Sequence, residues 1–331
     1  MPDLLEDLQV VTLPMRVPFR GIRFREIALV RGPSGWGEFS PFLDYEPLEA
    51  AHWLGAAIEA AYGQWPRPIR DSVPVNATVP AVPADAVATL LERFPGCMAV
   101  KVKVAERGQA LADDLDRVAA VRAVVGRDVR IRVDANGSWD EAQAREALQS
   151  LAAYDIDYAE QPCATVESLK RLRISLARNG INVRIAADES IRKAADPLRV
   201  AREHAADLLV VKVAPLGGVA RALDIVREAG LPAVVSSALD SSVGISAGVA
   251  LAAALPALDG PCGLGTLALM GGDVTREPMV PDAGMLRPRR AVVSADLLSR
   301  YAAAPDRIAW WRKRIRDCLA QLTEQPPVGP R

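Results

Sequence analysis

The feature that most constrains the fold is a regular alternation of short apolar strands and helices that begins near residue 75. Eight segments rich in β-branched residues are predicted as strands, at 75–80, 99–104, 129–136, 157–162, 183–190, 208–215, 233–239 and 260–266. Helical patterns such as 111–126 and 217–230 lie between them. From the second strand onward the repeat is about 24 to 31 residues, the length of one strand with its crossover helix. The pattern therefore predicts a parallel sheet.

The number of strands favours closure of this sheet. Eight units can form a (β/α) barrel of TIM type, although the same pattern also allows an open doubly wound sheet. Before the repeat, residues 8–45 alternate apolar and polar positions as strands do, and 46–65 have helical spacing. We therefore predict an α+β N-terminal capping domain at 1–72, a barrel at 73–285, and C-terminal helices at 286–331 that pack on the barrel or the cap and end in a disordered tail.

Composition excludes several classes of partner. Among 331 residues, 40 are Lys or Arg and 41 are Asp or Glu, so a net charge of -1 gives no basis for binding nucleic acid or an anionic membrane. Residues 243–258 are the most apolar stretch but fall short of a membrane span. The N-terminus lacks the pattern of a signal peptide, and the four cysteines form no CxxC pair, which is typical of reduced thiols. We expect a cytoplasmic protein, with its oligomeric state left open.

Charged residues recur at one level of the predicted strands. Those at or near the carboxyl ends are Lys101, Lys103, Asp134, Glu160, Asp188 and Lys212. The last four are separated by 26, 28 and 24 residues, about one strand–helix unit each. A lone strand lysine is usually an edge residue, and a lone strand-end acid is usually a cap or an ion-pair partner. Their common level on consecutive strands instead predicts a site at the carboxyl end of the barrel, where barrel enzymes keep their active sites.

The three acidic residues predict a metal site. Asp134, Glu160 and Asp188 end neighbouring strands, so their carboxylates should converge and repel one another. A divalent cation removes this repulsion, and oxygen ligands suit Mg²⁺ before Mn²⁺. The absence of histidine at these strand ends argues against zinc.

Two of the lysines face each other in this arrangement. Strands two and six of an eight-stranded barrel are opposite, so Lys103 and Lys212 should flank the mouth. A lysine near a dication and another lysine has a lowered pKa and can act as a base. We expect a small-molecule carboxylate substrate that binds the metal, loses its α-proton to a lysine, and is held as an enediolate by the metal and the other lysine.

Several sequence runs resemble a known family. "KVKV", "RVDANGSW", "EQPC", "AADES" and "VVKVAPLGG" resemble, in order and spacing, motifs of the enolase superfamily branch with a lysine on each side of the barrel, the muconate lactonizing enzyme-like branch. "GWGEFSPF" resembles its capping domain. Within the branch, "NATVPAV", "AADESIRKAADPL", "VSSALDSSVGI" and "CGLGT" are similar to the actinobacterial o-succinylbenzoate synthases. The resemblance covers most of the chain.

The resemblance implies a reaction and residue roles. It implies Mg²⁺-dependent syn-dehydration of 2-succinyl-6-hydroxy-2,4-cyclohexadiene-1-carboxylate to 2-succinylbenzoate, a step toward menaquinone. Carried over by position, Lys103 is the base whose conjugate acid protonates the departing hydroxide, and Lys212 stays cationic. Asp134, Glu160 and Asp188 are the metal ligands. Lys101 supports the site electrostatically.

Other residues are predicted to complete the site. Asn136 and Glu189 follow metal ligands in sequence and are predicted to support them. The predicted substrate-binding residues lie at strands seven and eight, and they are Ser236, Ser237, Gly263, Gly265 and Thr266. Tight-turn glycines and a capping serine would explain these positions equally well. Arg20 could close over the site from the cap, but a solvated arginine is the simpler interpretation.

Two other functions stay open at this point. An N-succinylamino acid racemase, dipeptide epimerase or muconate-type cycloisomerase would use the same two lysines, because each lysine can serve one face of the substrate. A barrel that binds an anion without turnover is the other alternative. Retained lysines and acids argue against it, since buried charges that are not compensated destabilise a protein.

Overall fold

A computed structural model describes residues 4–19, 21–194 and 196–324. Of the predicted disordered tail, 323–331, the first two residues belong to the last helix, and the rest lies outside the described residues, as does Arg20. The N-terminal part is an antiparallel sheet of β1 (Gln9–Phe19), β2 (Ile22–Gly32) and β3 (Gly35–Phe39), covered by helix α1 (Pro47–Tyr62). Gly37 allows this packing, because a Cβ there would lie 1.9 Å from the carbonyl oxygen of Ala57 in α1.

The second part is a curved parallel sheet surrounded by helices. A short strand, β4 (Val73–Pro74), precedes this sheet and is not part of it. The strands of the sheet are β5 (Ala77–Val79), β6 (Ala99–Lys103), β7 (Arg130–Asp134), β8 (Ile156–Glu160), β9 (Arg184–Ala187), β10 (Leu208–Val211) and β11 (Ala233–Val235). The helices of this part are α2 (Val87–Leu91), α3 (Leu111–Val125), α4 (Glu141–Leu151), α5 (Val166–Arg178), α6 (Glu189–Arg192), α7 (Arg199–Arg202), α8 (Val213–Leu216), α9 (Val219–Ala229) and α10 (Ser242–Ala254). Strands β5 to β11 pair in sequence order, each parallel to the next.

The predicted eighth strand, 260–266, is wrong as a continuous strand. Two isolated parallel bridges replace a ladder, one between Val75 and Cys262 and one between Ser236 and Gly263. The backbone N–H of Cys262 donates to Pro74 (2.7 Å) and that of Gly263 to Val235 (2.7 Å). Pro261 has no N–H to donate, so a regular ladder cannot form there. The two bridges nevertheless join the first and last strands and close the barrel.

The core has two regions that follow the two faces of the sheet. A large cluster fills the space between the strands and their helices and extends into the N-terminal part. A small cluster fills the barrel interior, and its members are Tyr158, Ala186, Leu208, Val210 and Val234. The charged strand-end residues lie above this interior cluster, at the carboxyl end of the strands. The interior is therefore a packed floor under the site.

The C-terminal helices pack on the N-terminal part, which in turn packs on the barrel. The chain ends with β12 (Met285–Leu286), which pairs with β4, and with helices α11 (Ala295–Arg300) and α12 (Pro305–Glu324). Helix α12 packs on α1, and the indole ring of Trp311 meets Phe39 edge-on at 5.6 Å. Glu38 of β3 accepts hydrogen bonds from the backbone N–H of Ser241 (3.1 Å) and Gly244 (3.0 Å) at the start of α10. Glu38 of the N-terminal part therefore bonds backbone N–H groups at the start of α10 that have no partner within the helix.

Candidate active site

Strand register brings the predicted residues of β6, β7 and β8 to one level. Lys103 is opposite Asp134 in the ladder, and Asp134 is opposite Glu160. Side chains two residues apart share a face, so Lys101 lies on the same face as Lys103. All four side chains are buried, and Glu160 has no exposed surface.

The two lysines of β6 are paired with the acids of the neighbouring strands. Lys101 Nζ lies 2.9 and 3.0 Å from the carboxylate oxygens of Glu160 and 3.2 Å from Asp134 Oδ2. Lys103 Nζ lies 2.6 Å from the same Asp134 oxygen and also donates to Asn136 Oδ1. Asp134 therefore sits between two ammonium groups. This pairing explains why the chain can bury both lysines of "AVKVKV".

A second ion-pair group lies across the barrel mouth. Lys212, directly after β10, donates to Asp188 Oδ2, and Arg192 Nε donates to Asp188 Oδ1 at 3.0 Å. The same guanidinium donates to Glu189 Oε1 (2.6 Å) and to the hydroxyl of Tyr45 (2.9 Å). Lys103 and Lys212 both line one cleft between barrel and cap.

Burial and neighbouring charges set the pKa values of the acids. Burial alone would raise the pKa of Asp134, but the charges of Lys103 and Lys101 hold it well below its usual range. Burial and the charge of Asp134 raise the pKa of Glu160 to about 7, against the opposing effect of Lys101, and Asp188 adds to the increase. The negative charges of both other acids therefore raise the pKa of Glu160, as expected for three carboxylates that converge.

The donor set fits a hard divalent cation. Within residues 4–19, 21–194 and 196–324, no three His, Cys, Asp or Glu side chains are arranged as a metal site, because the carboxylate oxygens point at ammonium and guanidinium groups. The three predicted ligands are nevertheless buried oxygen donors at one end of adjacent strands, and mutual repulsion acts on Glu160. Such a set suits Mg²⁺. The assignment of Asp134, Glu160 and Asp188 as ligands stays a prediction.

The predicted supporting residues connect the two groups of ion pairs. Asn136 lies directly beyond β7 with φ +47°, a conformation that asparagine tolerates better than most residues. Its backbone N–H donates to Asp134 Oδ1 (3.1 Å), and its side-chain nitrogen donates to Glu189 Oε1 (3.1 Å). Asn136 therefore links Lys103 and Asp134 on one side to Glu189 on the other.

Not all of the predicted substrate-binding residues line the cleft. Ser236, Ser237, Gly263 and Thr266 line the cleft, whereas Gly265 lies against the backbone of Asn76 and the ring of Phe94. Ser237 Oγ donates to the Gly263 carbonyl (2.8 Å) and lies 2.7 Å from Thr266 Oγ1. The Gly263 N–H is already bonded to Val235, so it is not available to an anion. The serine and threonine hydroxyls are the polar groups left on this wall.

Residues that the sequence patterns did not indicate also shape the site. Phe19 and Phe42 of the N-terminal part line the cleft, and Lys103 Nζ lies 5.5 Å from the centre of the Phe19 ring. Gln161, in the "EQPC" run, accepts hydrogen bonds from the backbone N–H of Asp188 (3.0 Å) and Ser190 (3.1 Å). It thus fixes the start of α6, which carries Arg192. The sequence signal that could have indicated Gln161 is its position directly after Glu160.

Comparison with known proteins identifies the family. Residues 10–61 match the Enolase N-terminal domain-like profile, and residues 84–292 match the Enolase C-terminal domain-like profile. The chain is 56% identical to o-succinylbenzoate synthase of Mycobacterium ulcerans over 323 residues, 97% of this chain and 96% of the relative. It is 57% identical to the same-named protein of Mycolicibacterium smegmatis, over 97% and 98% of the two chains. The chain belongs to the o-succinylbenzoate synthase family of the enolase superfamily.

Solved structures agree on the fold. Muconate lactonizing enzyme from Pseudomonas putida superposes with a TM-score of 0.73 at 22% identity, covering 90% of this chain and 98% of that one. N-succinyl Arg/Lys racemase from Bacillus cereus superposes with a TM-score of 0.71 at 20% identity, covering 90% and 97%. The predicted family, a family of lyases, and the predicted capped barrel are confirmed. In the described part of the chain no helix combines the length and apolarity that a membrane crossing requires.

Proposed function

We propose that the chain is an o-succinylbenzoate synthase that removes water from 2-succinyl-6-hydroxy-2,4-cyclohexadiene-1-carboxylate to give 2-succinylbenzoate, a step toward menaquinone in the cytoplasm. One observation carries the proposal. A chain 57% identical to a synthase over nearly its whole length keeps Lys103 and Lys212 on one cleft, each against a buried aspartate. Both amines can therefore reach a substrate held between them.

Charge balance supports a dianionic substrate. The site contains four anionic and four cationic side chains, which are Asp134, Glu160, Asp188, Glu189, Lys101, Lys103, Lys212 and Arg192. While Lys103 is protonated their formal charges cancel, so an added Mg²⁺ leaves two positive charges. Once Lys103 has released the proton that a base must release, one positive charge remains. In both states the site attracts a substrate with two carboxylates.

Residue roles follow from position. Asp134, Glu160 and Asp188 would hold Mg²⁺, which supplies positive charge to a bound carboxylate and makes its α-proton more acidic. Lys103 Nζ takes that proton, and the resulting ammonium returns it to the departing hydroxide on the same face, so one water leaves. Lys212 keeps its proton and donates a charge-assisted hydrogen bond to the negative charge that develops on the carboxylate oxygens.

The experiment that tests the proposal is an absorbance assay of the dehydration with wild type, Lys103→Ala and the surface variant Lys170→Ala. We expect Lys103→Ala to reduce turnover by at least about 100-fold, the usual size of a general-base contribution. A chelator should abolish turnover, because the metal supplies the positive charge that makes the α-proton acidic. Circular dichroism should show that both variants stay folded. Lys170→Ala, on the exposed side of α5, should keep wild-type turnover.

Two results would count against the proposal. If wild type with Mg²⁺ exchanged the α-deuterium of N-succinylamino acids but did not dehydrate the cyclohexadiene, the racemase alternative would replace it. If neither substrate reacted, the non-catalytic barrel would be the better description. A synthase dehydrates its substrate whether or not it also racemises succinylamino acids.

A further inference from the structure

Outside the cleft, helix α3 carries a buried ion pair. Asp114 and Arg117 are 2% and 1% exposed, and Arg117 Nη1 lies 2.8 Å from Asp114 Oδ1. Neither residue lines the cleft between barrel and cap. A buried pair of this kind adds little net stability, because both charges lose their hydration. Its contacts therefore indicate what the pair is for.

The pair grips the backbone at the end of β6. Arg117 Nη1 donates to the carbonyl oxygen of Lys103 (2.8 Å), while Asp114 Oδ2 accepts a hydrogen bond from the backbone N–H of Ala105 (2.9 Å). The two contacts hold the peptide groups on either side of Val104. Arg117 Nε also donates to the carbonyl of Val82 (2.6 Å), which anchors the guanidinium to the loop after β5.

The gripped segment has a backbone conformation that needs external support. Ala105 has φ +59°, a left-handed conformation that is unfavourable for a residue with a side chain. The strand reaches its end here, where the N–H of Val104 donates to the carbonyl of Asp134 (3.0 Å). A strained residue persists only where its surroundings determine it. Asp114 and Arg117 provide this support immediately beyond Lys103.

We infer that Asp114 and Arg117 are positioning residues that fix the backbone of Lys103 and thereby the location of its Nζ atom. The inference rests on the proposed role of Lys103 as the base. Lys103 Nζ is 2.6 Å from Asp134, and a proton-transfer group has to be held within a fraction of an ångström of its working position. Neither Asp114 nor Arg117 lines the cleft, so they act on Lys103 through its backbone, while Arg117 Nη2 also donates to Gln109 Oε1 (2.5 Å).

A more exposed pair at the other end of the barrel, Arg173 (41% exposed) with Asp207 (24% exposed), has the same connectivity and provides a control. Arg173 of α5 donates from Nε to Asp207 Oδ1 (2.7 Å), and Asp207 Oδ2 accepts a hydrogen bond from the backbone N–H of Ile185 (2.8 Å). This pair also ties a helix to a strand, but at the amino end of β9 and β10. It should contribute to stability without affecting Lys103.

The test compares Asp114→Asn and Arg117→Met with Arg173→Met. We expect kcat to fall about 10- to 100-fold in the first two, the loss that an ångström-scale displacement causes, while KM stays within about twofold. Hydrogen exchange at the Ala105 amide should become faster, whereas exchange in β9 should not change. Arg173→Met should keep wild-type kcat even if its Tm falls.

Each other outcome overturns the inference. Faster exchange at Ala105 with wild-type kcat would leave the pair a purely structural role, and an equal fall of kcat in Arg173→Met would indicate general destabilisation. If Arg117→Met does not fold, the near-isosteric Asp114→Asn carries the test. If wild type turns over neither substrate, the proposed function fails. Unchanged hydrogen exchange at Ala105 in Asp114→Asn would separately contradict the inference that the pair holds the backbone of residues 103–105.

Discussion

The two ends of the barrel both carry buried charge, but they use different cations. At the carboxyl end, Lys101, Lys103 and Lys212 meet the acids. At the amino end the cations are arginines. Arg132 Nε lies 3.1 Å from Asp157, and Arg184 Nη1 lies 2.8 Å from Asp259. The difference is chemical, because an ammonium can release a proton near neutral pH in a suitable site, whereas a guanidinium cannot.

The amino-end arginines close the barrel. Arg184 bridges Asp157 and Asp259, so it ties β8 to the segment that leads into the two closing bridges. Arg132 donates to Asn76 Oδ1 (3.2 Å) and lies 4.8 Å from the centre of the Tyr158 ring. The fork of donors on each guanidinium holds several chain segments at once. Lysines could not replace them, since an ammonium lacks that planar geometry.

Exchanging the cation type at the carboxyl end gives the largest expected effect. Lys103→Arg keeps the positive charge but removes the proton-accepting amine, so turnover should fall at least about 100-fold. Lys212→Arg keeps the role proposed for Lys212 and should retain at least about tenfold more turnover than Lys103→Arg. The dehydration assay on both variants measures the difference. Equal losses would mean that both lysines transfer protons, as in a racemase.

The sequence predicted the level of the charged residues because two periodicities determine it. Side chains alternate along each strand, and strand–helix units repeat at nearly constant length, so Lys103, Asp134 and Glu160 had to share one face and one level. The ladder places them opposite one another. The eighth strand was mispredicted because Pro261 interrupts the ladder, although the next two residues still form bridges to the neighbouring segments.

Contacts made across long sequence distances could not be predicted. Tyr45 and Arg192 are 147 residues apart, and no local pattern indicates that a cap tyrosine meets a barrel arginine. The Asp114–Arg117 ion pair of α3 was not predicted for a related reason. Asp114 and Arg117 look like ordinary polar residues of an amphipathic helix, and only the tertiary fold shows that they are buried against β6.

The amino end should respond to mutation in stability and not in turnover. Arg132 has no exposed surface, so Arg132→Met leaves Asn76 Oδ1 without this donor while Asp157 keeps its pairing with Arg184, and it should lower the free energy of unfolding by about 2 kcal/mol. Denaturant titration measures the loss. Arg130→Met is the control, because its side chain is 55% exposed and 4.0 Å from Asp157, and we expect a change within about 0.5 kcal/mol.

The kcat of folded Arg132→Met should stay near the wild-type value. Arg132 lies under the interior cluster that contains Tyr158. It contacts Asp157, Asn76 and the Pro261 carbonyl and does not line the cleft. A loss of kcat comparable to that of Lys103→Arg would contradict the division of labour between the two ends.

Arg192 is an arginine at the carboxyl end that lines the cleft, and its test has the smallest expected effect. Its three donor nitrogens reach Asp188, Glu189 and the Tyr45 hydroxyl. Tyr45→Phe removes one neutral hydroxyl, so the free energy of unfolding should fall by about 1 kcal/mol. The Arg192 guanidinium keeps its bonds to the carboxylates of Asp188 and Glu189, so kcat should change by no more than a few-fold. If Tyr45 holds the cap over the substrate, KM should rise. Tyr62→Phe is the matched control, since its hydroxyl donates to the Arg31 carbonyl at the surface (3.1 Å). If Tyr45→Phe reduced kcat as strongly as Lys212→Arg, the hydroxyl would have a role in catalysis, and the rule that arginine marks structure at both ends would fail.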